Sequence, residues 1–186
     1  MKPQLHFPIV AIIAASLACS IDVGGPTLPD PPIVSSAEVL QQLQTEIESA
    51  LLRGLSDGIL SLSLTQEQLT AFLAARLSAG EEPLIRNAQV VLGDQEMIVY
   101  GRARAGIFEA NAAVTVEFAV DDLGKPQIKI THAELGPLPM PDGLKDAIAS
   151  AVDEALTGYL GPAAIGFRLE SINISGGAMT FTGRLR

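Results

Sequence analysis

The chain has no tryptophan, and aromatic residues make up only 4% of it, so stacking platforms for bases or sugar rings are not expected. Positive charge is also scarce. Twelve Lys and Arg against 21 Asp and Glu leave a net charge of −9, which excludes the concentrated basic surface that nucleic acid requires. Histidine occurs only as His6 and His132, and cysteine only as Cys19, too few to assemble a thiol or imidazole metal site. No Gly-x-Ser-x-Gly elbow accompanies His132, whose expected role is structural or solvated. The acidic pairs Glu81-Glu82 and Asp121-Asp122 read as turns, and Asp153-Glu154 sits in a helical pattern where adjacent side chains point apart. Asp94-Gln95-Glu96 lacks the spaced oxygen ligands of a calcium loop. No catalytic residues, metal or cofactor are therefore expected, and the chain reads as a non-enzyme. Long apolar runs are missing too. The run at residues 9–15 falls short of the roughly 20 residues needed to cross about 30 Å of hydrocarbon.

Hydrophobic residues make up 48% of the chain and charged residues 18%, the balance of a folded domain rather than a disordered one. A length of 186 residues suits one domain once a leader is set aside. Residues 1–18 form that leader: Lys2, the apolar run, then small residues, the pattern of an export signal. Cys19 follows Leu17-Ala18 and resembles the lipobox cysteine of bacterial lipoproteins, although Ser16 stands where those motifs usually carry Leu. An ordinary signal peptide with an incidental cysteine is the alternative. Lipidation is preferred because a lone exported cysteine is otherwise an unexplained free thiol. Two acyl chains would anchor the protein stably to the outer face of the cytoplasmic membrane or to the outer membrane. Residues 19–36 are rich in Pro and Gly without periodicity and read as a tether, leaving 37–186 as a single domain.

Within that domain, Ser35-Ser36-Ala37-Glu38 has the form of a capping box, followed by Leu40, Leu43, Ile47, Leu51 and Leu55 at helical spacing. The stripe through Leu40, Leu43, Ile47 and Leu51 would suit a homodimer or an envelope protein partner if it were exposed. A short strand pattern at 59–64 leads into a second capping box, Thr65-Gln66-Glu67-Gln68, and a second helix carrying Leu69, Phe72, Leu73 and Leu77. Strand patterns follow at 88–92, 97–103 and around Ile128 and Ile130, with short links that only an antiparallel meander can use. Phe108, Ala110, Ala112, Val114, Val116, Phe118 and Val120 alternate strictly, giving a strand far longer than the usual 5–6 residues, one that must curl. Leu144, Ile148, Ala151, Val152, Ala155, Leu156 and Tyr159 mark one face of a long helix for the sheet to wrap. Gly176-Gly177 joins two last strands as a hairpin. The expected fold is α+β: a highly curved antiparallel meander around a long C-terminal helix, with two N-terminal helices.

This element order occurs together with Leu62-Ser63-Leu64-Thr65-Gln66-Glu67-Gln68-Leu69, Asp122-Leu123-Gly124, Leu135-Gly136-Pro137-Leu138-Pro139-Met140-Pro141 and Ile172-Asn173-Ile174-Ser175-Gly176-Gly177. From about Leu55 to Arg186 the chain resembles the YpmS-like and LmeA-like families of bacterial envelope proteins, related in fold to the tubular lipid-binding (TULIP) superfamily. The resemblance implies a curved sheet on a long helix with an apolar groove for lipid tails, and it brings no catalytic residues. Residues that would line such a groove are Phe108, Val114, Val116, Phe118, Ile128, Ile130, Ile148, Val152 and Leu156, which would equally serve as a closed core. Alanines at 110, 112, 147, 151 and 155 leave space between facing elements. Arg102 with Arg104, and Arg184 with Arg186, share strand faces and are candidates for an anionic headgroup, with outward solvated charges as the alternative. The function expected is that of a membrane-tethered, extracytoplasmic lipid-binding protein. The rival is a tethered accessory module without ligand.

Overall fold

Eight strands and three helices make up the described part of the computed structural model, which covers residues 21–78, 83, 85–105, 107–164 and 167–185; for 105 and 155–164 only the backbone is described. The expected export signal, Cys19 and Arg186 lie outside the described residues, as do the side chains of Ala155, Leu156 and Tyr159.

After strand β1 (Ile21–Asp22), helix α1 (Ala37–Asp57) starts where the Ser36 hydroxyl accepts the Val39 N–H at 3.4 Å. The cap is thus Ser36, one residue beyond the expected Ser35 box, and the same hydroxyl holds the Glu38 carboxyl below its ordinary value. Gly58 ends the helix in a left-handed conformation, its N–H donating to Gly54 O at 2.9 Å. Leu43, Ile47 and Ala50 are buried, and Leu40 and Leu51 pack against the core, so the stripe considered for a partner is spent on folding instead.

Strand β2 (Ile59–Thr65) buries Leu60, Leu62 and Leu64 in alternation and passes directly into helix α2 (Gln66–Leu77). Thr65 closes the expected capping box: its hydroxyl accepts from Gln68 N at 3.3 Å, while Gln68 Oε1 accepts from Thr65 N at 2.8 Å. The Gln68 amide also donates to Glu46 Oε2 at 2.7 Å and ties α2 to α1.

The meander consists of β3 (Ile85–Leu92), β4 (Glu96–Ala105), β5 (Phe108–Val120) and β6 (Pro126–Leu135), all antiparallel neighbours in a strongly curled, half-barrel sheet. Register runs from Glu96↔Glu117 to Ala105↔Phe108 between β4 and β5, and from Val120↔Pro126 to Ala112↔Leu135 between β5 and β6, with a shift at Thr115/Val116. Strand β1 adds to β5 in parallel, Ile21 opposite Phe108. Part of the stretch read as a tether is thereby bonded to the domain: Val23 N donates to Glu109 O, and Asn111 N to Gly24 O, each at 2.9 Å. Gly25 permits this approach, since a Cβ there would stand 2.5 Å from Asn111 O.

Helix α3 (Asp142–Ala164) precedes the hairpin of β7 (Phe167–Ser175) and β8 (Ala178–Leu185), whose turn places Gly176 and Gly177 at φ +60 and +75. The hairpin does not extend the meander. It pairs with β2, Thr65 opposite Ala178 and Ile59 opposite Arg184, to form a second sheet of order β2-β8-β7. Strand β7 crosses the turn end of the first sheet, where Ile174 O accepts from Gln95 N at 3.4 Å. One apolar cluster joins both sheets and all three helices, with Phe181, Met179, Val90, Val114 and Ile148 fully enclosed.

The sheet does not wrap a long C-terminal helix as its principal partner. The short mid-chain α2 lies along β3, and its Thr70 hydroxyl accepts from Val90 N at 2.9 Å within the core. Helix α3 packs beside it, bridged at the surface by Arg76 and Glu154 at 2.7 Å. Among the described residues no helix is long and apolar enough to cross a membrane.

Candidate functional site

Strand β6 is an edge strand, hydrogen-bonded to β5 on one side only. Its Ile128 and Ile130 are half-buried and alternate with exposed Gln127, Lys129 and Thr131. Helix α3 approaches the free side. Ile148 and Val152, one turn apart, are buried, which leaves Ala149, Ser150 and Asp153 to face the strand. Their small or short side chains do not fill the gap. An open cleft of about 610 Å³ results, lined by Pro126, Gln127, Ile128, Ile130, Ala149, Ser150 and Asp153. Ile128 and Ile130 contribute apolar surface to it, and Gln127, Ser150 and Asp153 polar surface.

Of the nine residues expected to line a lipid groove, Ile128 and Ile130 border this cleft. Val114, Val116, Ile148 and Val152 are at most 1% exposed and form a dry core instead. Phe118 is partly buried against that core. Phe108 is 38% exposed at the opposite end of β5. The side chain of Leu156 is outside the described residues. Alternation identifies the buried face of β5 correctly, and that face is packed into the one apolar cluster. Ala149 and Ser150 were missed because nothing local distinguishes them from other small residues on the helix.

The described arginines of the two pairs lie in separate places, and Arg186 is outside the described residues. Arg102 and Arg104 stand on the outer face of β4 beside Arg86, all three directed at Glu109, with contacts of 3.8, 3.7 and 3.6 Å respectively. Arg102 also pairs with Asp22 of β1, and its Nε is buried without a hydrogen-bond partner. Arg184 lies at the other end of the meander, up to about 40 Å away along β5 at 3.4 Å per residue. There its Nε meets Glu170 Oε1 at 2.8 Å. It borders a second depression of about 640 Å³ with Arg168, Asp121, Asp122 and Glu170, whose charges largely answer one another. In that turn Asp121 accepts from the Lys125 N–H at 2.8 Å and the Leu123 N–H at 2.9 Å. These bonds, the Lys125 one foremost, hold its carboxyl below the ordinary value. His132 is exposed and shares a hydrogen bond of 2.8 Å with Glu134 Oε1. Among the described residues no three His, Cys, Asp or Glu side chains gather closely enough to hold a metal ion.

With this architecture in view, the sequence places the protein in a class. A model of the LmeA-like phospholipid-binding family matches residues 20–184, and the chain belongs to that family. The match takes in β1 and α1, beyond the region from Leu55 on that carried the resemblance. No curated protein matches the chain. Among solved structures it is similar to the crystal structure of lipopolysaccharide binding protein, with 11% sequence identity and a TM-score of 0.22. That alignment covers 79% of this chain and 48% of the other, so the chain spans about half the length of that structure.

Proposed function

We propose that this protein is a membrane-tethered, extracytoplasmic lipid-binding protein of TULIP-like build that holds the acyl chains of a phospholipid between β6 and α3, as a carrier or holder and not as an enzyme. The observation that carries this reading is the cleft itself: Ile128 and Ile130 present apolar surface at a sheet edge, and Ala149 and Ser150 leave room for a tail. Membership of a phospholipid-binding family supplies the ligand class. Each methylene withdrawn from water contributes about 0.8 kcal/mol, so a tail seated there is held without any charged contact. Ile148 and Val152 lie beneath, and a small outward shift of α3 would add their surface to the site. Acylation of Cys19 would keep the domain beside its lipid supply, on the outer face of the cytoplasmic membrane or on the outer membrane.

Native mass spectrometry of the chain from Ser20 onward, purified without detergent and incubated with phospholipid vesicles, tests the reading. The expected result is an adduct of phospholipid mass that disappears in Ile130→Asp while the fold is retained. A clean apo mass under the same conditions overturns it and leaves the accessory-module reading, for which the exposed Leu52, Leu55 and Ile59 offer a surface.

A further inference from the structure

We propose that the β4–β5 tip is a membrane-docking edge, built to seat on an anionic phospholipid surface. Three observations meet there. The first is apolar exposure: Ile107 at the turn is 61% exposed, Ile21 49% and Phe108 38%. Solvent-exposed aliphatic and aromatic side chains clustered at a loop tip are costly in water and are accounted for by insertion at a bilayer interface.

The second is charge. Arg104 pairs with Glu109 across the strands one residue back from Phe108, and Arg102 stands two residues further, with Arg86 as its neighbour on β3. At about 3.4 Å per residue the backbone positions of Arg104 and Arg102 stand roughly 3–10 Å behind Phe108, on the opposite face of the sheet, which brings them to headgroup depth when the tip reaches the acyl boundary. Three arginines against Asp22 and Glu109 leave the cluster at +1 in a chain of net charge −9, so this end is where an anionic surface is attracted and not repelled.

The third is where the preceding chain enters. Strand β1 runs parallel to β5 and starts at Ile21, opposite Phe108, so the residues ahead of it leave from this tip. Two residues of chain reach no more than about 7 Å, which bounds the separation of Cys19 from Ile21. With Cys19 acylated, as in the proposed function, the anchor is attached next to this edge. The β1–β5 pairing then orients the domain instead of letting it swing on a free linker.

Docking at the tip is independent of tail binding at the β6–α3 cleft, and the test separates the two. The chain from Ser20 onward, which contains every described element and no acyl group, is sedimented with vesicles of phosphatidylcholine alone or mixed with phosphatidylglycerol. Binding is expected to the mixed vesicles at low salt and to fall as salt rises. Arg104→Gln should weaken it about fivefold, the usual worth of one basic side chain at an anionic surface. Ile107→Ser should also weaken it, whereas Glu109→Gln should strengthen it by relieving the arginines of a competing carboxylate. Ile130→Asp should leave it unchanged. Equal binding to neutral vesicles, or Glu109→Gln weakening binding as Arg104→Gln does, would mean that the arginines only brace the strands, and the proposal fails.

Discussion

Thr70 and Val90 are joined across the interior: the hydroxyl of one, on α2, accepts the backbone N–H of the other, on β3, at 2.9 Å. Four residues earlier on the helix, Gln66 Oε1 accepts from Leu92 N at 3.0 Å. Four helical residues rise about 6 Å and two strand residues about 6.8 Å, so one row of helix side chains matches the outward N–H groups of the strand. Helix α2 therefore stands where the next strand of the sheet would be and protects an otherwise open edge. Thr70→Val, equal in shape but without the acceptor, should lower stability by about 1–3 kcal/mol, and Thr70→Ser by less. Urea melts that show an unchanged slope and a midpoint lowered more in the valine than in the serine variant check this.

Core and cleft should respond oppositely to added bulk. Val152 is 1% exposed on the buried face of α3, and Val152→Trp should destabilise the fold by about 1–3 kcal/mol through overpacking. Ser150→Trp, one turn face away and exposed, should leave the melting temperature nearly unchanged while it fills the cleft and reduces phospholipid uptake. Paired thermal melts and lipid-adduct measurements on the two variants distinguish the roles.

The turn at Asp121 should contribute to acid sensitivity. Its carboxyl is held below the ordinary value by the Lys125 N–H and its neighbours, so in the window below about 3.9 the folded chain binds fewer protons there than the unfolded chain. Stability from this group is complete above that ordinary value and is lost as pH falls through the lowered one. The stability gap between the native chain and Asp121→Asn, present at neutral pH, should accordingly narrow on acidification. Denaturation curves across the acid range measure it.

Much of this architecture is legible because its signals are local. The Thr65–Gln68 capping box, the Gly58 helix end and the Gly176-Gly177 hairpin each act within a few residues. Alternation from Ala110 to Val116 identifies the buried face of β5, and it fails at Phe108 only because the sheet ends there with nothing to cover that side chain. The apolar stripe of α1 is equally plain in sequence, but whether it meets solvent, a second chain or the core is not a property of the stripe.

Caps, turns and periodicity, then, settle which segments become helices and strands and which of their faces are apolar, since backbone sterics and side-chain spacing decide these within one or two turns. Tertiary structure alone decides what covers each face. The pairing of β2 with β8 joins Thr65 to Ala178, the docking of β1 joins Ile21 to Phe108, and α2 rather than α3 occupies the principal place against β3. Burial is non-directional, and many partners would satisfy the same apolar face. Which of them fits depends on packing the whole chain at once, and the cleft between Ile130 and Ala149 is the space that this packing leaves unfilled.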